Sequence, residues 1–139
     1  MNHITSLNDQ DFKERLEACI FPVSDFDHRS HLRLAYVYLT ENSIEVSNKL
    51  VRSALNRLLQ HNNIEPTAKY HETLTKAWLL VVNHYMKGTK DLCSADEFID
   101  KNPELLNSQI MMTHYTHEIL FSDRARKKFI KPDLKEIPV

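Results

Sequence analysis

An all-α fold, a compact single-domain bundle or orthogonal array of about five to seven helices, is what this sequence predicts. Three observations carry that prediction. Glycine occurs once in 139 residues, at Gly88, which removes the usual material of tight hairpin turns. The five prolines fall where helices would start or stop. Apolar residues recur at helical spacing, and no strand-type alternation survives counting.

The elements follow in order. Leu7 and Phe12 fit a hydrophobic staple around an Asn8 cap, with Asp9 and Asp11 in the first turn, and Phe12, Leu16, Cys19 and Ile20 form the apolar stripe. Pro22 stops this helix. Ser24 with Asp27 resembles a capping box for a second helix reaching about Thr40. Asn42 with Glu45 opens a third, whose stripe is Ile44, Ser47, Val51, Ala54, Leu55 and Leu58. Asn62 to Pro66 reads as a turn. Thr67 caps a fourth helix running through Lys87, ended by Gly88. Ser94 with Glu97 caps a short helix. Pro103 stands at the first position of a last long helix to about Phe121. Ser122 starts a final short helix that Pro132 ends, and residues 133–139 read as an extended tail.

The totals narrow the function. A chain of 139 residues is one ordinary domain, 1–139, able to bury a core without disulfides. The net charge of −1 gives no global attraction to nucleic acid or to an anionic membrane. A single glycine argues against dinucleotide folds, P-loops and nucleophile elbows, where backbone must approach phosphate or turn sharply. Cys19 and Cys93 are read as reduced thiols, as expected of a cytoplasmic protein. The first residues lack the charge and apolar run of a signal peptide. The longest apolar stretch, Trp78 to Val82, is too short to span a bilayer. The basic run Arg124, Arg126, Lys127, Lys128 and Lys131 reads first as a solvated helix face anchored by Phe129 and Ile130, and nucleic-acid binding is disfavoured.

Eight histidines are an excess for this length. His3 and His61 are expected at the periphery, and His84 near a helix C-terminus, where a cation suits the dipole. The others stand on inward-looking stripes. His28 and His31 are an i, i+3 pair on the side continued by Leu32, Ala35 and Leu39. His71 begins the stripe of Leu74, Thr75, Trp78, Leu79 and Val82. His114 and His117 form a second i, i+3 pair. Three helices thus offer imidazole toward a shared interior, the donor set of a divalent transition metal, with zinc or iron foremost. The expected ligands are His28, His31 and His71, then His114. Glu72 is the candidate ligand, orienting partner or base, and Tyr70 or Tyr115 the hydrogen-bond donor. Catalytic roles are assigned to Glu72 and Tyr115. Neither HExxH nor the glutamate-plus-ExxH pairs of di-iron bundles occurs. A histidine on an apolar face is more often a core residue with its nitrogens satisfied.

Phe26-Asp-His28-Arg-Ser-His31-Leu-Arg-Leu-Ala35, Lys69-Tyr-His71-Glu-Thr-Leu-Thr75, His114-Tyr115, Ala125-Arg126 and Pro132-Asp133-Leu134 together resemble a family of small, uncharacterised bacterial all-helical proteins with HxxHLxLA and KYHETLT patterns. The likeness covers about residues 26 to 135. It implies that His28, His31, His71 and Glu72 belong to one motif set, which His117 fits less well, and it lends no activity. The sequence reading is therefore a helical metal-binding protein with a histidine-rich interior, in its stronger form a metal-dependent enzyme acting on a small molecule. The alternative is a non-catalytic helical module that binds a partner protein and whose buried histidines are structural.

Overall fold

A computed structural model describes residues 3–138; Met1, Asn2 and Val139 lie outside the described residues. The α-helices are α1 (Leu7–Glu17), α2 (His28–Glu41), α3 (Ile44–His61), α4 (Pro66–Lys69), α5 (Glu72–Lys87), α6 (Ala95–Lys101), α7 (His117–Leu120) and α8 (Asp123–Lys127). Tighter 3₁₀ turns occupy Val23–Asp25, Pro103–Leu106 and Ser108–Thr113, and no strand occurs among the described residues. The all-α prediction holds. No helix among these residues is long and apolar enough to cross a membrane.

Helices α2, α3 and α5 pack on one another to form the centre. α2 is buried almost all round, through Leu32, Leu34, Ala35, Tyr36, Val37 and Tyr38, because α1, α3, α5 and α6 cover its sides. Its two tyrosines satisfy their hydroxyls as they enter the core: Tyr36 donates to the Ile4 carbonyl (2.7 Å) and Tyr38 to Glu17 (2.6 Å). Asp9, 1% exposed, ties three elements together. It accepts from the Ser6 backbone at the start of α1, from Arg33 on α2 (3.1 Å) and from the Ala95 backbone at the start of α6 (2.9 Å).

Several boundaries differ from the sequence reading, each for a local reason. Ser6 rather than Asn8 caps α1, in a capping box with Asp9, so Leu7 lies inside the helix and is 90% exposed. Ser24 falls in a 3₁₀ turn, and Asp27 caps α2 through the Ser30 N–H. Ser43 caps α3, since the Asn42 side chain is engaged with the Tyr38 carbonyl at the end of α2 (3.0 Å). Gly88 does follow α5, but at φ −84°. Among the described residues, the left-handed ones are Cys19 (φ 61°), Asn63 (φ 59°) and Asp91 (φ 46°). Cys19 and Asn63 close Schellman turns, with Ile20 N–H on the Arg15 carbonyl and Ile64 N–H on the Leu59 carbonyl.

Two corrections shape the site. The helix expected from Thr67 to Lys87 is two helices, because Tyr70 and His71 are extended and His71 itself caps α5. The long helix expected from Pro103 to Phe121 is instead two 3₁₀ turns and the short α7. Asn107 and Thr116 each start a new turn with their own side chains. The C-terminal segment competes for the backbone between them. Leu134 N–H donates to the His114 carbonyl (3.0 Å), and Asp133 accepts from both the Thr116 N–H and its hydroxyl. His114 and His117 therefore do not share a helical face.

Candidate functional site

The starts of α2 and α5 converge on a cavity of about 660 Å³. The C-terminal part of α3, the turn at Ser108–Thr113 and the end of α7 add to its wall. Its surface is mostly apolar and aromatic, with Phe26, Leu58, Trp78, Met111 and Phe121 prominent. His28, His31 and His71 all line it. Two local signals put them there: the Asp27 cap sets the register of His28 and His31 on α2, and the break at Tyr70 turns His71 inward.

The three imidazoles are not equivalent. Buried His71, 8% exposed, uses both nitrogens. Nδ1 accepts from the Leu74 N–H (3.1 Å), the capping bond of α5, and Nε2 donates to the Leu120 carbonyl (2.7 Å). Burial lowers its pKa, against the opposing effect of the Leu120 bond. His28 donates from Nε2 to the Leu105 carbonyl (2.9 Å) and meets the Trp78 ring edge-on, with centroids 4.6 Å apart. His31 has no such anchorage. Its Nε2 is buried and has no hydrogen-bond partner among the described residues. Burial, and secondarily the neighbouring His28, push its pKa down to about 4. It is thus a neutral imidazole near pH 7 with an unmet polar atom in a mostly apolar wall.

The remaining expected residues stand elsewhere. Glu72, the first residue of α5, follows the extended His71 and lines a separate cleft beside Arg52 rather than the histidine cavity. Its carboxylate takes Arg52 bidentately (2.9 and 2.8 Å), the Tyr70 hydroxyl (2.7 Å) and the Asn48 amide (3.1 Å). Burial acts to raise its pKa, but the Arg52, Tyr70 and Asn48 bonds outweigh it and hold the carboxyl below its ordinary value. The carboxylate expected as a ligand, orienting partner or base is thus engaged by three side chains away from the histidines. Tyr115 is fully buried, donates to the Ile130 carbonyl (2.6 Å), and is pushed up to about 12 by burial and then by Asp133. It does not line the cavity. His114 binds the Lys135 carbonyl through Nδ1 (2.7 Å) and lines a different, smaller recess beside Val81 and Ile137. His117 is exposed and packs on Phe121. His3, expected at the periphery, bridges the Met86 carbonyl (2.7 Å) and the Leu92 N–H (3.2 Å).

The chemistry of the donor set decides how far a metal fits. His71 would have to abandon the cap of α5 or the Leu120 carbonyl to turn a lone pair toward an ion. Among the described residues, no group of three or more His, Cys, Asp or Glu side chains stands where it could hold a metal. The residues present therefore do not fit the three-histidine centre expected from the sequence. Two features escaped the sequence reading. Arg52, the partner of Glu72, lies on α3 with nothing local to mark it. The apolar wall carried no mark of its own: Trp78 stood in the sequence as one more residue of the His71 stripe. Compared with known proteins, the chain matches no family model, no curated protein and no solved structure.

Proposed function

We propose that this protein binds a small, largely apolar molecule in the cavity between α2 and α5, and that the molecule places one polar group on Nε2 of His31. The observation that carries the reading is that unpartnered nitrogen. A buried polar atom left unsatisfied costs about 1–3 kcal/mol, which a ligand carrying the complementary group recovers on binding. The cavity volume of about 660 Å³ and its apolar surface with few polar groups match the usual form of a small-molecule site. A pKa of about 4 leaves His31 far below the range of an efficient general base at neutral pH. Recognition is therefore the role assigned to it, and no reaction step is attached.

Trp78 is the only tryptophan and lines the cavity, so its fluorescence reports occupancy. Cyclohexanol should shift its emission saturably, and should bind about tenfold more tightly than cyclohexane, the equivalent of one hydrogen bond. That preference should vanish in His31→Leu while both probes still bind. No saturable response to either probe, or an undiminished preference for the alcohol in His31→Leu, would overturn the reading. Stoichiometric zinc uptake by untagged protein, lost in His31→Leu and in His71→Ala, would replace the organic ligand with the metal.

A further inference from the structure

Across Tyr70 from the histidine cavity lies a second cleft, of about 700 Å³, between α3, α4, the start of α5 and α8. Tyr70 lines both. Four cationic side chains, Arg52, Arg126, Lys127 and Lys128, and two carboxylates, Glu72 and Asp123, border it. The Glu72 carboxylate is spent on Arg52 at 2.8 Å. Arg126 donates to the Thr67 carbonyl (3.1 Å), which holds its guanidinium at the cleft edge. No ion pair joins Arg126, Lys127 or Lys128 to a carboxylate among the described residues. An excess of positive charge therefore faces a concave surface, where low-dielectric walls focus the field. One more group in the wall is unmet: Oδ1 of Asn56 is buried without a hydrogen-bond partner. The Phe129 ring is a further part of the lining, with the Lys76 ammonium 4.7 Å from its centroid.

We propose that this cleft binds a small phosphate ester bearing free hydroxyl groups, of the sugar-phosphate or phosphorylated-polyol class. The phosphate, with close to two negative charges and three acceptor oxygens, meets Arg126, Lys127 and Lys128. A hydroxyl donates to Asn56 Oδ1, and the apolar face of the carbon skeleton lies on Phe129. Asp123, at the rim, disfavours ligands whose negative charge is spread along their whole length. The site stands apart from the histidine cavity and does not depend on the reading of it.

Isothermal titration with glucose 6-phosphate, inorganic phosphate, glucose and succinate separates the contributions. Glucose 6-phosphate should bind about tenfold more tightly than inorganic phosphate, and glucose and succinate more weakly than either. The double variant Lys127→Gln/Lys128→Gln changes two exposed side chains. It should weaken both phosphates by at least about tenfold with unchanged melting. Asn56→Leu should remove only the advantage of the sugar phosphate. Absence of saturable binding by either phosphate up to about 10 mM, a very weak affinity by any measure, would overturn the proposal. So would equal binding of succinate, or affinity that is indifferent to loss of the two lysines.

Discussion

Two helix starts line the histidine cavity, and they differ in how completely their polar groups are satisfied. At the start of α5 every strong polar group is engaged. His71 caps the helix with one nitrogen and holds the Leu120 carbonyl with the other, and Glu72 gathers Arg52, Tyr70 and Asn48. At the start of α2, His31 stands as close to the same space with Nε2 unmet. Residue type does not separate the two walls, since both present imidazole. The hydrogen-bond accounting does: a satisfied histidine belongs to the scaffold, whereas an unsatisfied one awaits a partner.

This contrast predicts unequal costs. His71→Ala should show the largest loss, about 3 kcal/mol, because it removes a helix cap, leaves the Leu120 carbonyl unpaired and opens space beside Phe121. Denaturant unfolding monitored by circular dichroism would measure it. A loss below about 1 kcal/mol, no more than an ordinary cap, would erase the distinction between the two walls. Glu72→Gln keeps the shape and removes the charge. It should cost about 2 kcal/mol, since Arg52 is part-exposed and water replaces some of what it loses. The same unfolding measurement reads it, and Arg52→Met should cost a similar amount without adding to it, as expected of two ends of one pair.

The legible and illegible parts of the molecule divide along the same line. Periodicity and caps were local, so the regular helices around the core could be read from Ser94 or from the Val51–Leu58 stripe. The placement of His28, His31 and His71 on one interior followed from those stripes. What periodicity could not show was where a helix breaks because a side chain caps the next one. His71 looked like the continuation of a helix from Thr67, and the turns between Pro103 and Phe121 looked like one. There the decision lies with distant partners, such as Asp133 on Thr116 and Leu134 on the His114 carbonyl, which no local pattern encodes. The metal reading failed to gain support for a related reason. A sequence shows how many imidazoles face inward but not how many of their nitrogens are already taken.

The smallest change in stability should come from the residue to which the binding role is assigned. His31→Leu replaces an unmet buried nitrogen with a side chain of comparable bulk, so it should leave the unfolding free energy unchanged or raise it by up to about 1 kcal/mol. Its signature should appear in acid. Because the folded pKa of His31 is depressed to about 4 from 6.5, the unfolded chain binds the proton first. The stability this neutrality represents is complete above about pH 6.5 and is lost as the pH falls toward 4, on the order of 3 kcal/mol over that window. The pKa of His71 is also lowered, so part of the same acid limb belongs to it. The depressed Glu72 acts lower, with its contribution present above its ordinary value of 4.5 and lost below it. Unfolding at pH 7 and at pH 5 therefore separates the histidines from the carboxylate. His31→Leu should show a shallower decline than the unmodified chain over that interval while being at least as stable at pH 7. Parallel declines in the two proteins would mean that His31 is already partnered in solution, and the asymmetry between the walls would disappear with it.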